Sequence, residues 1–339
     1  MRTRLLASLL AVAPLTAACT EQTVTTSDAA RLIAASGSRV VVAASSETEQ
    51  PSLGCGGGGD PALGPSVLFV SDDGGAHYDR VEPADARPLV RIGVKDGVFY
   101  GIAQAGGGSA FAIVRSADGR SWTELVAKTG TANDLSISAS GVAVAYSQGV
   151  LSSTDGATWT DRAFPQGLWA PSVAQVGGTI VLASPEDGVL QIATETGWTR
   201  RPVAAMQSIW ELIPAEGALL VTGNGQFDGD ARQAIARVDL GSDAPPSYLY
   251  ASMVRPVVTP AGLLDTSGQL APFEGAAFGS LVPFVDPFQS ATVTGQTVQL
   301  LRDGSVTIST DGGKTFGAPV ALPIQSVEHP YDDGPGPRS

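Results

Sequence analysis

A short phrase recurs four times along this 339-residue chain. It reads SDDGGAHY from Ser71, SADGRSW from Ser116, STDGATW from Ser153 and STDGGKTF from Ser309. Each copy is a Ser, one variable residue, Asp-Gly, and then an aromatic that closes the polar stretch. A fixed-period repeat constrains architecture strongly, because each unit can bury its apolar face only against its neighbours. The first three copies stand 45 and 37 residues apart, and the fourth lies 156 residues further on, four steps of 39. Three worn copies are therefore expected between Ser153 and Ser309. The candidates are ATETGWT from Ala193 to Thr199, ARVDLGSD around Asp239, and DTSGQL from Asp265. Seven units of about 40 residues have the size of four-stranded propeller blades. The expected fold is all-β: one seven-bladed β-propeller of four-stranded antiparallel blades over residues 29–324, with six or eight blades as the neighbouring counts.

The local pattern agrees. LVRIGV, VFYGIAQ, AFAIVRS and WTELVA form one unit of four short runs, LSISAS, VAVAYS, VLSS and WTDR the next, and SATVTG, TVQLLR, SVTIST and FGAPVAL the last. Val, Ile, Tyr, Phe and Thr suit half-buried strands. The 41 Gly and 23 Pro suit a chain with many tight turns. The phrase falls between the third and fourth run of a unit, so it is a hairpin turn. Its Asp can accept N–H bonds from the turn, its Gly supplies positive φ, and its aromatic seals the gap to the next unit. These are structural tasks.

The phrase resembles the Asp-box, or BNR repeat, of the sialidase-type β-propeller superfamily, whose pattern is Ser-x-Asp-x-Gly-x-Thr-Trp or Phe. Ser309, Asp311, Gly313, Thr315 and Phe316 match throughout. Ser71, Asp73 and Gly75 match, with His77 and Tyr78 in place of Thr and Trp. The copies at Ser116/Asp118 and Ser153/Asp155 are one residue shorter and end in Trp122 and Trp159. Only the turns match as motif. The resemblance implies that these turns share one face of a disc and that ligands use the other, around the central channel.

The N-terminus reads as an export signal. Arg2 and Arg4 precede an apolar run from Leu5 to Leu15, and small residues lead to Cys19. The run is too short to span a bilayer. The arrangement resembles a bacterial lipobox, with Leu15 displaced by one position. It implies a signal peptide over residues 1–18, a lipidated Cys19, a tether over 19–28 and an outer-membrane or cell-surface lipoprotein. Plain secretion or a periplasmic location is the alternative. Cys55, the other of two cysteines, lies in a Gly-rich loop. So low a count excludes a disulfide scaffold. The Pro/Gly-rich tail over 325–339 is expected to be disordered. The formal charge of −13, or −15 once Arg2 and Arg4 are removed, excludes a nucleic-acid partner.

On the face opposite the phrase turns, the candidate loops are Ser46–Gly64, Ala105–Ser109 and Thr222–Gln233 within blades, and Ala163–Trp169, Gly241–Ala251 and Gly279–Phe288 between them. Arg91, Asp134, Trp169, Trp210 and Arg255 fall near the start of innermost strands, and Tyr248, Tyr250, Phe284 and Phe288 on adjoining loops. Arg91, Trp169, Trp210, Tyr250 and Arg255 are the candidate ligand-binding residues, since aromatics with Arg on a concave face suit a protein or a glycan. Trp169 and Trp210 equally suit plugging the channel or packing between blades. A glycosidase would need two acids, or a Tyr assisted by Glu, across the scissile bond. The Phe/Tyr-Arg-Ile-Pro motif that a sialidase carries before its first Asp-box has no counterpart before Ser71, and no catalytic set is assigned. With two His in the chain, a His metal site or triad is not expected. Asp228-Gly229-Asp230 lacks the spaced acids of a calcium loop, and CGGGGD lacks the Lys-Ser/Thr of a phosphate loop. Neither cofactor nor metal is expected. The sequence reads as a monomeric, non-enzymatic binding scaffold, with a sialidase-like or other glycoside hydrolase as the alternative.

Overall fold

A computed structural model describes residues 23–48, 66–84, 87–104, 108–165, 167–168, 172–215, 217–250, 256–274 and 277–330. The candidates Cys19, Cys55, Trp169 and Arg255 lie outside the described residues. The chain forms a seven-bladed β-propeller of four-stranded antiparallel blades. Blade one holds Thr23–Ser36, Arg39–Thr48, Ser66–Ser71 and Asp79–Val81. Blade two holds Leu89–Lys95, Val98–Gln104, Ala110–Ser116 and Thr123–Thr129. Blade three holds Ala132–Ser138, Gly141–Tyr146, Gly149–Ser153 and Thr160–Ala163. Blade four runs from Ser172–Val176 through Thr179–Ala183 and Val189–Ala193 to Trp198–Pro202. Blade five has two long hairpins, built from Met206–Ala215, Ala218–Phe227 and Asp230–Val238, before a short Ser247–Leu249. Blade six is the smallest, with Val257–Thr259, Gly262–Leu264, Gln269–Ala271 and Val282–Pro283. Blade seven closes the series with Ser290–Thr294, Thr297–Arg302, Ser305–Ser309 and Val320–Ala321.

First strands of neighbouring blades touch one another, so the first strand of each blade is innermost. Antiparallel order then assigns the faces. First-to-second and third-to-fourth turns share the lower face. Second-to-third turns and inter-blade connections share the upper face. The core sits between blades. Seven buried clusters each join one blade to the next, from Phe69 with Leu301 across blades one and seven to Leu264 with Leu300 across six and seven. Alternation along each strand sends one side chain to each neighbouring interface, which is why the apolar runs are nearly continuous.

The four phrase turns are built alike. Ser71, Ser116, Ser153 and Ser309 are buried. Each hydroxyl donates to the phrase Asp, at 2.8, 2.9, 2.9 and 2.7 Å, and accepts a glycine N–H from Gly75, Gly119, Gly156 or Gly313. One Asp oxygen then collects N–H groups from the following residues, such as Ala157 and Thr158 on Asp155 at 2.8 and 2.7 Å. The turn also clamps neighbours together. A Cβ on Gly119 would overlap Val41 of blade one, one on Gly156 would overlap Tyr100 of blade two, and one on Gly75 would press on Ile308 of blade seven. Trp122 and Trp159 fill the adjoining gaps, and Phe316 meets Phe284 edge-on at 6.3 Å.

These bonds hold the phrase carboxylates below their ordinary pKa. In Asp118, the Ser121 N–H is the largest cause and lowers the value from 3.8 to about 2. Asp73, Asp155 and Asp311 shift the same way, led by bonds from His77, Thr158 and Thr315 respectively. A carboxylate with a depressed folded pKa stabilises the fold above its unfolded pKa and loses that contribution as pH falls through the folded value. Thermal midpoints should therefore hold near neutrality and drop from about pH 4 toward about pH 2. Asp118→Asn should show a shallower drop in a thermal scan across that range, and an unchanged slope would count against this account.

Two worn turns lie where the spacing expects them, and arginines replace their lost Ser-Asp pairs. Arg162 of blade three donates to the Thr194 and Gly197 carbonyls at 2.7 and 3.3 Å and lies over the Trp198 ring. Arg201 of blade four donates to the Asp239 carbonyl at 2.9 Å and to that of Ser242. The third expectation is corrected. The turn at Asp265 joins the second and third strands of blade six and so lies on the upper face. Its Asp accepts from Ser267 and the Gln269 N–H, which reproduces the local chemistry of the phrase at a different place in the blade.

Ring closure also departs from expectation. Ser326–Pro330, read as disordered tail, is a strand that pairs antiparallel with Thr23–Ser27, read as tether. This fifth strand of blade one satisfies backbone groups that a free tail would leave to water. Asp28 pins the joint. Its side chain is buried, accepts the Gln325 N–H at 3.1 Å, and takes the Arg80 guanidinium at 3.1 and 3.4 Å.

Candidate functional site

Among the described residues, blade five carries the most extended upper-face hairpin. The stretch Thr222–Gln233, expected as a loop, is a continuation of the hairpin, with a two-residue turn at Asp228-Gly229 whose φ values are 53° and 89°. Positive φ at both positions is the signature of a tight hairpin turn that matches strand twist. Gly241–Ala251, expected between blades, instead contains part of a lower-face turn and the strand Ser247–Leu249. Gly279–Phe288 likewise contains the strand Val282–Pro283.

The aromatics gather at this hairpin. Phe227 meets Tyr248 and Tyr250 edge-on at 5.1 and 4.9 Å, and the two tyrosines lie nearly parallel at 6.1 Å. Arg232 sits over the Tyr250 ring at 6.0 Å and pairs with Asp230 at 2.7 Å. The Tyr248 hydroxyl donates to the Ala204 carbonyl, and burial raises its pKa. Tyr250 remains 51 % exposed.

Trp210 is displayed by a different device. Pairing of the first two strands of blade five slips between Met206 and Ser208 and again between Ile209 and Glu211, so Gln207 and Trp210 are each an extra residue in the ladder. A bulge re-aims the inserted side chain. Trp210 is 43 % exposed, whereas Ile209 beside it is fully buried. Gly223 makes room, since a Cβ there would overlap the Ser208 carbonyl. Ladder register carries Ile209 to Gly223, Ala234 and the end of the fourth strand, so Trp210 and Tyr250 stand at one height, about 14 Å apart across three strand spacings.

The other candidates have separate surroundings. Arg91 is exposed on the first strand of blade two, next to a bulge, and donates to the Val90 carbonyl at 2.9 Å. Asp134 ties blades together. It accepts from the Ser172 hydroxyl at 2.7 Å and the Val173 N–H at 2.9 Å, and Ser172 accepts the Leu212 N–H at 3.0 Å. Arg91 is thus three blades away in chain order from the blade-five aromatics and, among the described residues, joins none of their ring contacts. Sequence reading missed Phe227 and Arg232. The Asp-Gly between alternating runs was the available signal.

A second upper-face feature is a cleft of about 670 Å³ between blades six, seven and one. Phe288 and Ile324 give it apolar walls, and Arg31, Thr266 and Asp303 give it polar ones. Among the described residues, no group of three or more His, Cys, Asp or Glu side chains could hold a metal ion, and no helix is long and apolar enough to cross a membrane.

No protein-family model matches the sequence, and no curated protein matches it. Solved structures do resemble it. Hydrazine synthase of Kuenenia stuttgartiensis is similar with a TM-score of 0.56 at 9 % identity, over 92 % of this chain and 100 % of that one. A chain of the mitotic checkpoint complex is similar with a TM-score of 0.52 at 13 % identity, over 89 % and 96 %. PorZ, a bacterial surface component of the type-IX secretion system of Porphyromonas gingivalis, is similar with a TM-score of 0.50 at 12 % identity, over 85 % of this chain and 52 % of that one. At these identities the likeness is one of fold, and it agrees with the blades seen here: the chain is a β-propeller.

Proposed function

We propose that this chain is an exported bacterial lipoprotein whose Asp-box propeller is a non-enzymatic protein-binding scaffold in the cell envelope. The observation that carries the reading is the exposed aromatic surface of blade five. Trp210 on a bulged inner strand and Tyr250, between Phe227 and Arg232, are partly exposed. Trp, Tyr and Arg are the residues that dominate binding energy at protein interfaces. Packing of Tyr250 against Phe227 and Tyr248 lowers the ordering cost of association there.

The anchor fits the same picture. The first strand starts at Thr23 on the upper face, four residues after Cys19. Four residues reach at most about 14 Å. Acylation of Cys19 would thus keep the upper face turned toward the membrane, where an envelope partner would meet it. Similar discs occur in a secretion-system surface component and in the mitotic checkpoint complex, so the fold is compatible with work inside protein assemblies.

The test is capture from envelope extract by the immobilised protein, followed by affinity measurement with each captured protein purified. Trp210→Ala and Tyr250→Ala should each weaken binding by about 30-fold, the size of a 2 kcal/mol hot spot. A partner that binds both variants as well as the parent protein would refute this surface. Turnover of a sialoside would refute the non-enzymatic reading.

A further inference from the structure

The lower face carries a cleft that belongs to neither the aromatic surface nor the phrase turns. It measures about 860 Å³ and lies between blades three, four and five. Its origin is visible in the chain. In blades two and three the phrase turn presses onto the preceding blade. In blade five the worn turn after Asp239 is longer, and Arg201 holds its Asp239 and Ser242 carbonyls. The facing turn of blade four is Gly177-Gly178, where a Cβ at either position would meet nothing within 4 Å. The cleft is therefore space that a complete repeat would have filled.

Its chemistry is one-sided. Ile137, Val176, Pro214 and Leu240 supply aliphatic walls. Among the described residues, Asp239 is the single charged side chain in the lining, exposed at the rim, with Oδ1 accepting the Gly241 N–H at 2.8 Å. Gln175 forms the inner wall. It is 1 % exposed, its Nε2 donates to the Ser140 carbonyl at 3.3 Å, and its Oε1 has no partner among the described residues. Among the described residues the lining thus has a carboxylate at the rim, aliphatic walls, an unmet amide acceptor buried in the inner wall, and no cation. The ligand that complements this set brings several donors and a positive charge on an apolar stem. A primary ammonium has three donors and no acceptor, and methylenes suit aliphatic walls. The overall charge of −13 favours its approach.

We infer that the lower-face cleft is a binding site for a primary ammonium on an aliphatic stem, supplied by a free polyamine or by a lysine side chain. The experiment is titration of the full chain with n-butylammonium chloride, followed by calorimetry and amide NMR shifts, with n-butanol as the uncharged match. A dissociation constant on the order of 1 mM is expected for the ammonium, with shifts at Gly177, Gly217 and Gly241 and at least about tenfold weaker binding of butanol. Asp239→Asn keeps the Oδ1 acceptor for Gly241 and should abolish the preference for charge. Trp210→Ala should leave it unchanged, so this site stands or falls apart from the blade-five surface. Spermidine and Nα-acetyl-lysine methylamide then separate the two sources, the tighter binder naming which applies. Equal binding of butanol and butylammonium, shifts confined to other residues, or an unaltered preference in Asp239→Asn would each overturn the inference.

Discussion

Replacing Asp28 with alanine is expected to cost about 3–5 kcal/mol of unfolding free energy, the usual penalty for removing one partner of a buried ion pair. The carboxylate is nearly inaccessible, at 5 % side-chain exposure, and its partner Arg80 is at 20 %. Two donors converge on it, the Arg80 guanidinium and the Gln325 N–H. Without Asp28 the guanidinium stays largely buried with, among the described residues, only Glu82 left to it, and the segment leading into Ser326–Pro330 loses its side-chain acceptor. Urea unfolding gives the measurement. Arg80→Ala and the double variant complete a cycle, and strong non-additivity is expected because the two groups are in contact. A loss below about 1 kcal/mol would place the pair among exposed salt bridges and remove it from the closure.

The second large effect is expected at Gly268. Its φ is +84°, and a Cβ there would overlap the Val285 carbonyl oxygen. The Gly268 carbonyl meanwhile accepts the N–H groups of both Phe284 and Val285 at 3.0 Å. Gly268→Ala meets a left-handed backbone cost of about 1–2 kcal/mol and a forced backbone shift of about 1–3 kcal/mol. A loss of about 3 kcal/mol follows, read by the same urea titration. Gly177→Ala is the control, with φ of +56° and open space around it. It should cost only about 1 kcal/mol. Equal effects at the two positions would show that the Val285 contact is relieved without strain. The displaced segment leads to Phe288, whose N–H donates to the Thr266 carbonyl at 2.9 Å. Gly268→Ala should therefore also disturb the upper cleft that Phe288 lines.

Much of the blade structure is legible in the chain because it is local. The runs around Arg91, Ser136 and Thr307 alternate within a few residues, and turn glycines and Asp punctuate them. The failures come from places where local chemistry repeats without its position. Asp265 with Ser267 satisfies turn donors much as Ser153 with Asp155 does, yet it sits between the second and third strands. The short strands of blade six gave the reading no independent register. The site was legible only as a list of exposed aromatic and charged residues. Trp210 owes its exposure to a bulge, and a one-residue slip in pairing has no local signature.

The repeat, the hairpin turns and the packing of apolar runs between neighbours were legible in the chain, as was a count of about seven blades with six or eight as its neighbours. These follow from periodicity, which each unit states within its own 40 or so residues. Tertiary structure alone decided how the ring closes, which face displays the blade-five aromatics, and where a worn turn leaves a cleft. Thr23–Ser27 meets Ser326–Pro330 from the far end of the chain. Arg201 reaches the turn of the next blade. Gln175 has an acceptor unmet among the described residues, in the wall of a cleft that three blades line. Such contacts depend on distance in space, and sequence separation holds no record of it.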